Sequence, residues 1–379
     1  MKKILLTLAA IACIVPMLSA KQPPIPDGDR IKMNDRLTTL RRIVSIPNID
    51  GYITLKGDFH MHTVYADAHV SPAERVREAW CDGLDVIAMT EHIAVHKSKG
   101  IKLKDYNLPN QLAVKEGKKY GLLVVPGAEI TRTKPFGHMN ALFMKDCNVF
   151  EEERYLKDEN GKLLRDKKGS RIPNRATEMT DFEAAEKQGA YIIWNHPGWP
   201  DGKCTLYPFH KSLIEQGRIH GVEIYNAYEW YPRVLSWFDD FKISMFANSD
   251  AHMPSAVTYR YLRPMTLVFA KERTLESLRE AMFAGRIVAL FDNTLAGSAD
   301  LIAQLAKASL QIMPINAKKG YVEVTNISDI EFRVEYGTKK TKSFVFPARS
   351  AVRVTIPQGE VVTLLNCYAG RSYVTTTLW

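Results

Sequence analysis

The chain has 379 residues, of which 46% are hydrophobic and 25% charged. That composition excludes a wholly disordered chain, a collagen-like repeat and a disulfide scaffold. The formal charge of +9 suits an anionic ligand, but the basic residues form no long run and no nucleic-acid recognition module is present.

The N-terminus has the order of an export signal. Met1-Lys2-Lys3 is basic, residues 4–15 are apolar, and Leu18-Ser19-Ala20 ends on a small residue. A signal peptide over 1–20 is therefore expected, and with it a periplasmic or extracellular protein. Ala10-Ile11-Ala12-Cys13 is an imperfect lipoprotein-like alternative. The apolar stretch is short for a membrane span, and no other segment is long enough. Beyond Cys13, the cysteines Cys81, Cys147, Cys204 and Cys367 lack C-x-x-C spacing and read as buried free thiols. Residues 21–50 read as a proline-marked linker followed by a short helix around 33–43.

From Tyr52 to about Asp292, short apolar strands alternate with amphipathic helices, the mark of βα units. Ser71-Pro72-Ala73-Glu74 is a capping box and opens a helix over Pro72–Cys81. Val86–Met89 is then a buried strand. Thr180-Asp181-Phe182-Glu183 is a second capping box, for a helix that ends at Gly189, and Tyr191–Trp194 is the next strand. Further strands are expected at 122–125, 140–144, 222–225, 243–247 and 265–269, and a helix at 274–284. About seven or eight such alternations over some 240 residues match the scale of a closed α/β barrel, with an open doubly wound sheet as the alternative. No G-x-G-x-x-G or P-loop is present.

Residues 151–175 interrupt this pattern with a charged stretch containing turn signals at Asn160-Gly161 and Asp166-Lys167-Lys168-Gly169. They read either as a solvated insertion or as a basic lid carrying Arg165, Lys167, Lys168, Arg171 and Arg175. From Leu310 the helical period disappears. Short strands at 321–325, 332–336, 343–346, 351–356, 361–366 and 373–378 predict a small all-β, sandwich-like domain. Packing on the α/β part is its expected role, with glycan or partner binding as the alternative. The division is thus 1–20, 21–50, 51–300 and 308–379.

Five segments place metal-ligand residues beside strands. Asp58-Phe59-His60-Met61-His62 is extended, so His60 and His62 point the same way and can grip one ion, with Asp67 shortly after. Thr90-Glu91-His92, Pro126-Gly127-Ala128-Glu129, Asn195-His196-Pro197 and Ser249-Asp250-Ala251-His252 each follow a strand, and Gly137-His138 precedes one. Ends of parallel strands meet at one rim, so these residues converge. A structural zinc site needs about four ligands, usually including thiolates. The larger nitrogen and oxygen set here suggests two or three catalytic ions. Asp58 and Glu91 are candidates for orienting the imidazoles. Arg132 and Trp199 are candidate substrate contacts. Trp194, Trp199, Tyr228 and Trp230 could wall a leaving group, although aromatics after strands more often pack.

Those motifs together resemble the PHP (polymerase and histidinol phosphatase) superfamily of metal-dependent phosphoesterases, over about residues 55–292. The resemblance implies a distorted (β/α)7 TIM-like barrel binding up to three divalent ions, often zinc, manganese or iron. It implies that His60, His62, Glu129 and Asp250 hold one ion. Glu129, His138 and His196 would hold a second, and Asp67, His92 and His252 a third. Glu129, Asp250 and His252 form the implied catalytic set. The implied activity is hydrolysis of a small phosphate ester, mono- or diester, by a metal-bridging hydroxide. Three divalent ions against three carboxylates leave the site near about +3, which attracts phosphate. The rival readings are a metal hydrolase of another ester, amide or phosphotriester on the same fold, and a non-enzymatic exported binding protein with a vestigial site.

Overall fold

The structure, a computed structural model, describes residues 40–93, 103–150, 155–199, 202–255, 262–337 and 341–379. The expected signal peptide lies outside these residues. Of the short helix expected around 33–43, residues 40–43 are described, and they are not helical.

The α/β part opens with β1 (Ile53–Asp58), α1 (Pro72–Cys81) and β2 (Val86–Met89). The capping box at Ser71 forms as expected: Glu74 N donates to Ser71 Oγ at 3.2 Å, and Ser71 N donates to Glu74 Oε2 at 3.1 Å. α2 (Leu108–Tyr120), β3 (Leu123–Thr131) and β4 (His138–Leu142) follow. α3 (Arg175–Lys187) starts earlier than its sequence signal suggested. Thr180 lies inside that helix, where its hydroxyl donates back to Ala176 O instead of capping. The chain continues through β5 (Tyr191–Trp194), α4 (Pro208–Glu215), β6 (Gly221–Asn226), β7 (Glu229–Trp230), α5 (Val234–Phe241) and β8 (Ser244–Asn248). It then forms β9 (Met265–Ala270), α6 (Leu275–Phe283), β10 (Ile287–Phe291), β11 (Thr294–Gly297) and α7 (Ala299–Ser309).

The sheet is mixed, and it does not close into the expected barrel. The pairs β1·β2, β2·β3, β5·β6 and β6·β8 are parallel. β4 is antiparallel to both β3 and β5, and β9 is antiparallel to both β1 and β10. The reason at β4 is local: only residues 132–137 join it to β3, too few for a crossover, so the chain must turn back. β8 pairs with β6 and has no ladder to β9. Instead the Thr266 hydroxyl of β9 bridges that gap, accepting from Ala247 N at 3.0 Å and donating to Ala247 O at 3.1 Å.

The C-terminal strands are β12 (Leu310–Asn316), β13 (Tyr321–Asn326), β14 (Phe332–Tyr336), β15 (Lys342–Phe346), β16 (Ser350–Thr355), β17 (Val361–Ala369) and β18 (Ser372–Thr377). β12, β13 and β16 form one sheet, while β15, β14, β17 and β18 form the other. Their inward residues, among them Val322, Val324, Phe332, Val334, Val354 and Leu364, are buried against each other and against Ile302 and Leu305 of α7. Period-2 burial of this kind is what the alternating sequence encodes. The second sheet is continuous with the α/β sheet, because β17 pairs in parallel with β11 at Leu295↔Cys367 and Ala296↔Tyr368.

The 155–174 insertion is an exposed ribbon held by the bridges Tyr155↔Pro173, Lys157↔Leu163 and Arg165↔Arg171. Its turns fall at Gly161 and Gly169, both at φ 79°, where the sequence placed them. No described helix is long and apolar enough to cross a membrane.

All four described cysteines are free thiols. Burial pushes Cys147 up to about 12 and raises Cys367 as well, so neither forms a thiolate readily. Ellman's reagent is expected to modify half-buried Cys81 before Cys147, Cys204 and Cys367 in the native protein. Equal rates for all four without denaturant would contradict this packing.

Candidate metal centre

The ends of four parallel strands deliver most of the candidate ligands. After β1 the chain stays extended, so Phe59 and Met61 turn into the core while His60 and His62 turn the other way. Their Nε2 atoms lie 3.1 Å apart. Asp250, just past β8, places Oδ1 3.3 Å from His60 Nε2 and 3.0 Å from His62 Nε2. Glu129 Oε1 lies 3.3 Å from His60 Nε2, 3.2 Å from His138 Nδ1 and 3.5 Å from His196 Nε2. Asp67 Oδ1 lies 3.3 Å from His92 Nε2 and 3.0 Å from His252 Nε2. All nine expected ligands therefore meet in one place. The three groupings overlap: the His62 and His92 rings stack at 4.0 Å, and His92 Nδ1 also meets Glu129 Oε2.

Two details of backbone differ from the sequence reading. Glu129 lies within β3, not after it, and its neighbours across the antiparallel pair are on β4, which begins at His138. A hairpin thus brings Glu129 and His138 together. His196 and Asp250 take left-handed backbone, at φ 27° and 48°. Such positions cost of order 1–3 kcal/mol each and persist only where the surroundings enforce them. At His196 the enforcement is visible, since its N–H donates to Glu223 Oε2 at 2.7 Å.

Glu223, fully buried on β6, is the residue that the sequence reading missed. Its Oε1 accepts from His60 Nδ1 at 2.8 Å and from Asn248 Nδ2 at 2.9 Å, and its Oε2 also accepts from Asn226 Nδ2 at 2.7 Å. A carboxylate only accepts, so His60 Nδ1 carries a proton and Nε2 is the ring atom aimed at the centre. His252 is fixed likewise, with Nδ1 donating to Asp250 O at 2.8 Å. The available signal was an acid inside a fully buried strand, Gly221–Asn226.

Asp58 and Glu91 do not touch imidazoles. Asp58 accepts from His60 N and Ser249 N and pairs with buried Arg263. Glu91 accepts from Thr63, and burial raises its carboxyl to about 7. Both hold loop backbone. Arg75, buried on α1, donates to His62 O at 3.0 and 3.2 Å, to Ala251 O at 3.1 Å and to Met253 O at 3.0 Å. It clamps the His60–His62 loop onto the Asp250–His252 loop.

The electrostatics keep the carboxylates of Glu129 and Asp250 charged. Burial disfavours the ionised Glu129, but the imidazoles of His138 and His92 outweigh it and hold the carboxyl well below its usual range. Asp250 is held low in the same way, against burial, by His60 and His62.

This donor set fits divalent cations. It offers nitrogen and oxygen and no thiolate, which suits zinc, manganese or iron. Among the described residues, buried His62 Nδ1 has no hydrogen-bond partner, and the contacts of His138 Nδ1 with Glu129 and of Asp250 Oδ1 with His60 and His62 lack hydrogen-bond geometry. An unmet buried polar atom costs about 1–3 kcal/mol, and convergent cations satisfy several at once.

The centre opens onto a cavity of about 510 Å³ that is also lined by Trp199, Asn226, Tyr228, Glu229 and Tyr231. Of the other candidates, Arg132 is buried and ion-paired with Asp181, in a crevice behind His138. Trp194 stacks between His210 and Trp237 and borders that crevice, not the cavity over the centre. Trp230 packs outward toward Phe291. No described residue of the 155–175 insertion lines the cavity.

A multi-donor cation centre at the ends of parallel strands defines a metal-dependent hydrolase type of site, and the comparisons with known proteins agree. No protein-family model matches the chain. A two-domain protein from Bacteroides vulgatus of known crystal structure, containing a predicted PHP-like metal-dependent phosphoesterase, is 31% identical to it. The match covers 89% of this chain and 98% of that one, at a TM-score of 0.77. An uncharacterised protein of Methanocaldococcus jannaschii is 25% identical over 203 residues, 53% of this chain and 83% of its own length. The chain belongs to the PHP-like metal-dependent phosphoesterases.

Glu223→Gln tests the orienting role. Each carboxylate oxygen faces two donors, so an amide must turn its NH2 onto a donor pair whichever way it flips. Metal affinity measured by calorimetric titration is expected to fall about 10–100-fold with an unchanged circular dichroism spectrum. Affinity within twofold of the parent would remove this role.

Proposed function

We propose that the protein hydrolyses a phosphate ester at a centre of two or three divalent ions. The observation that carries this reading is the convergence of ligand atoms from separate segments. In each of the groups His60–His62–Glu129, His60–His196–Asp250, His92–Glu129–His138 and His62–His92–His252, they lie within 4.8 Å of one another. His60, His62, Glu129 and Asp250 would hold one ion. Glu129 would be shared with a second, completed by His138 and His196. Asp67, His92 and His252 would hold the third. Bound divalent ions supply Lewis acidity, acidifying a water and neutralising charge on the phosphoryl oxygens.

The chain's own residues do the rest. Glu223 and the Asp250 carbonyl set the tautomers of His60 and His252, so that Nε2 faces inward in both. Asn195 Nδ2 donates to Glu129 Oε1 at 2.9 Å and fixes the shared carboxylate. Trp199, against the rings of His138 and His196, narrows access for water at the cavity mouth. Residues 51–300 would form the catalytic unit and 308–379 its support.

Metal-loaded protein is expected to cleave 4-nitrophenyl phosphate or bis(4-nitrophenyl) phosphate in preference to acyl esters, amides and phosphotriesters. Turnover of acyl substrates alone would reject the proposal. His60→Ala and Asp250→Ala are expected to abolish turnover while the protein stays folded. Activity within about tenfold of the parent would reject their roles. Dialysis against a chelator is expected to remove activity and lower Tm, with both restored by zinc or manganese. An unchanged Tm would argue against a resident metal centre.

A further inference from the structure

Part of the cavity lining is the β6–β7 turn, whose residues Tyr228 and Glu229 have no part in the metal chemistry. β6 turns into β7 through Ala227 and Tyr228, with Asn226 paired to Glu229 and Tyr225 to Trp230. Ala227 lies at φ 53° although it is not glycine, and its N–H donates to Asn248 O at 3.2 Å. Left-handed backbone costs an alanine about 1–2 kcal/mol, and strained positions of this kind gather at ligand-binding segments. Here the strain presents Tyr228 and Glu229 to the cavity.

Tyr228 is 66% exposed and Trp199 52%. A lone exposed aromatic means little, but these two come from different loops and line one cavity. The Trp199 ring sits 5.1 Å from the His138 ring and 5.6 Å from the His196 ring, beside the position a phosphate would take. Glu229 lines the same cavity, and it accepts from the Tyr231 hydroxyl. A carboxylate has about four acceptor positions, so one such bond leaves room for substrate donors.

Aromatic faces beside a carboxylate suit a ring with an apolar C–H face and hydroxyl donors at its edge. A plain aryl group would use the rings but desolvate Glu229 without a partner. A polyanion would meet Glu229 as a like charge. We propose that Trp199, Tyr228 and Glu229 form a subsite for the sugar part of a sugar phosphate, a reading that rests on phosphate-ester hydrolysis at the adjoining centre.

The test compares kcat/KM of metal-loaded protein on glucose 6-phosphate, glucose 1-phosphate, ethyl phosphate and phenyl phosphate. At least one hexose phosphate is expected to exceed both ethyl and phenyl phosphate by about tenfold or more, since a site that bonds substrate hydroxyls discriminates against analogues lacking them. Trp199→Ala, Tyr228→Ala and Glu229→Gln are each expected to collapse that ratio to within about threefold of unity, mainly through KM for the sugar ester. All three positions border solvent, so metal content and Tm of the variants report that they fold. Equal turnover of all four esters, or preference for phenyl phosphate, overturns the subsite and leaves the phosphoesterase reading standing. Cleavage of nitrophenyl phosphates with no turnover of either hexose phosphate also overturns it. No hydrolysis of any phosphate ester overturns both.

Discussion

The guanidinium of Arg75 is the interaction on which the metal centre depends. It gives two bonds to His62 O and one each to Ala251 O and Met253 O, and an ion pair with Glu78 balances its charge. Those carbonyls belong to two loops that carry His60, His62, Asp250 and His252, and that leave β1 and β8, strands with no mutual ladder. A buried arginine has the fixed fork geometry to reach several acceptors at once, which lysine lacks. Without it, the buried His62 carbonyl would lose its side-chain donor at a cost of about 1–3 kcal/mol, and the loops would be joined by fewer bonds, among them His62 N to Ala251 O and His69 N to His252 O. The distances among the ligands therefore depend on a helix residue that bonds the loop backbone, at His62, Ala251 and Met253, and none of the ligating side-chain atoms.

The same logic extends outward through buried charges. Asp58 ties the start of the first loop to Ser249 and is ion-paired with Arg263, which also reaches Asp82 at the C-terminal end of α1. Glu223 connects His60, His196, Asn226 and Asn248 through one carboxylate. Buried ions are poor sources of stability, because desolvation offsets their attraction. Their value here is geometric: each pair has one arrangement in which all its bonds are made, and that arrangement is the one that aims the imidazoles. The left-handed backbone at His196 and Asp250 is held by this lattice of bonds.

Much of this was legible in the sequence, and the limits have physical causes. The alternation at His60 and His62 and the ligand motifs after strands are local patterns, and they converge as expected. The capping box at Ser71 and the turns at Gly161 and Gly169 are local too. What failed was non-local. β4 and β9 look like any apolar strand, and their antiparallel direction is decided by connections and not composition. The Thr266 bridge in place of a β8–β9 ladder leaves no sequence trace. Arg75 sits among ordinary helix formers, and only burial distinguishes it from a solvated arginine.

The C-terminal strands gain a role from the same geometry. Packing on the α/β part was expected of them, but the contact is a shared sheet, with β17 adding a strand beyond β11. That register places Tyr368 next to Ala296 and brings its ring 6.1 Å from Trp230, on the ribbon that carries Tyr228 and Glu229. Phe291 backs the same ribbon, stacking on Tyr225 at 4.8 Å, and the following Asp292 accepts from the Tyr225 hydroxyl at 3.4 Å. A two-stranded ribbon is marginally stable by itself, and here its second strand is only Glu229–Trp230. The aromatic contacts at Tyr368 and Phe291 supply the support it lacks. The C-terminal strands contribute no ligand, yet they fix one wall of the cavity. Cutting them away would therefore loosen the ribbon before it disturbed the metal centre, because Arg75, Asp58 and Glu223 bind only partners within the α/β part.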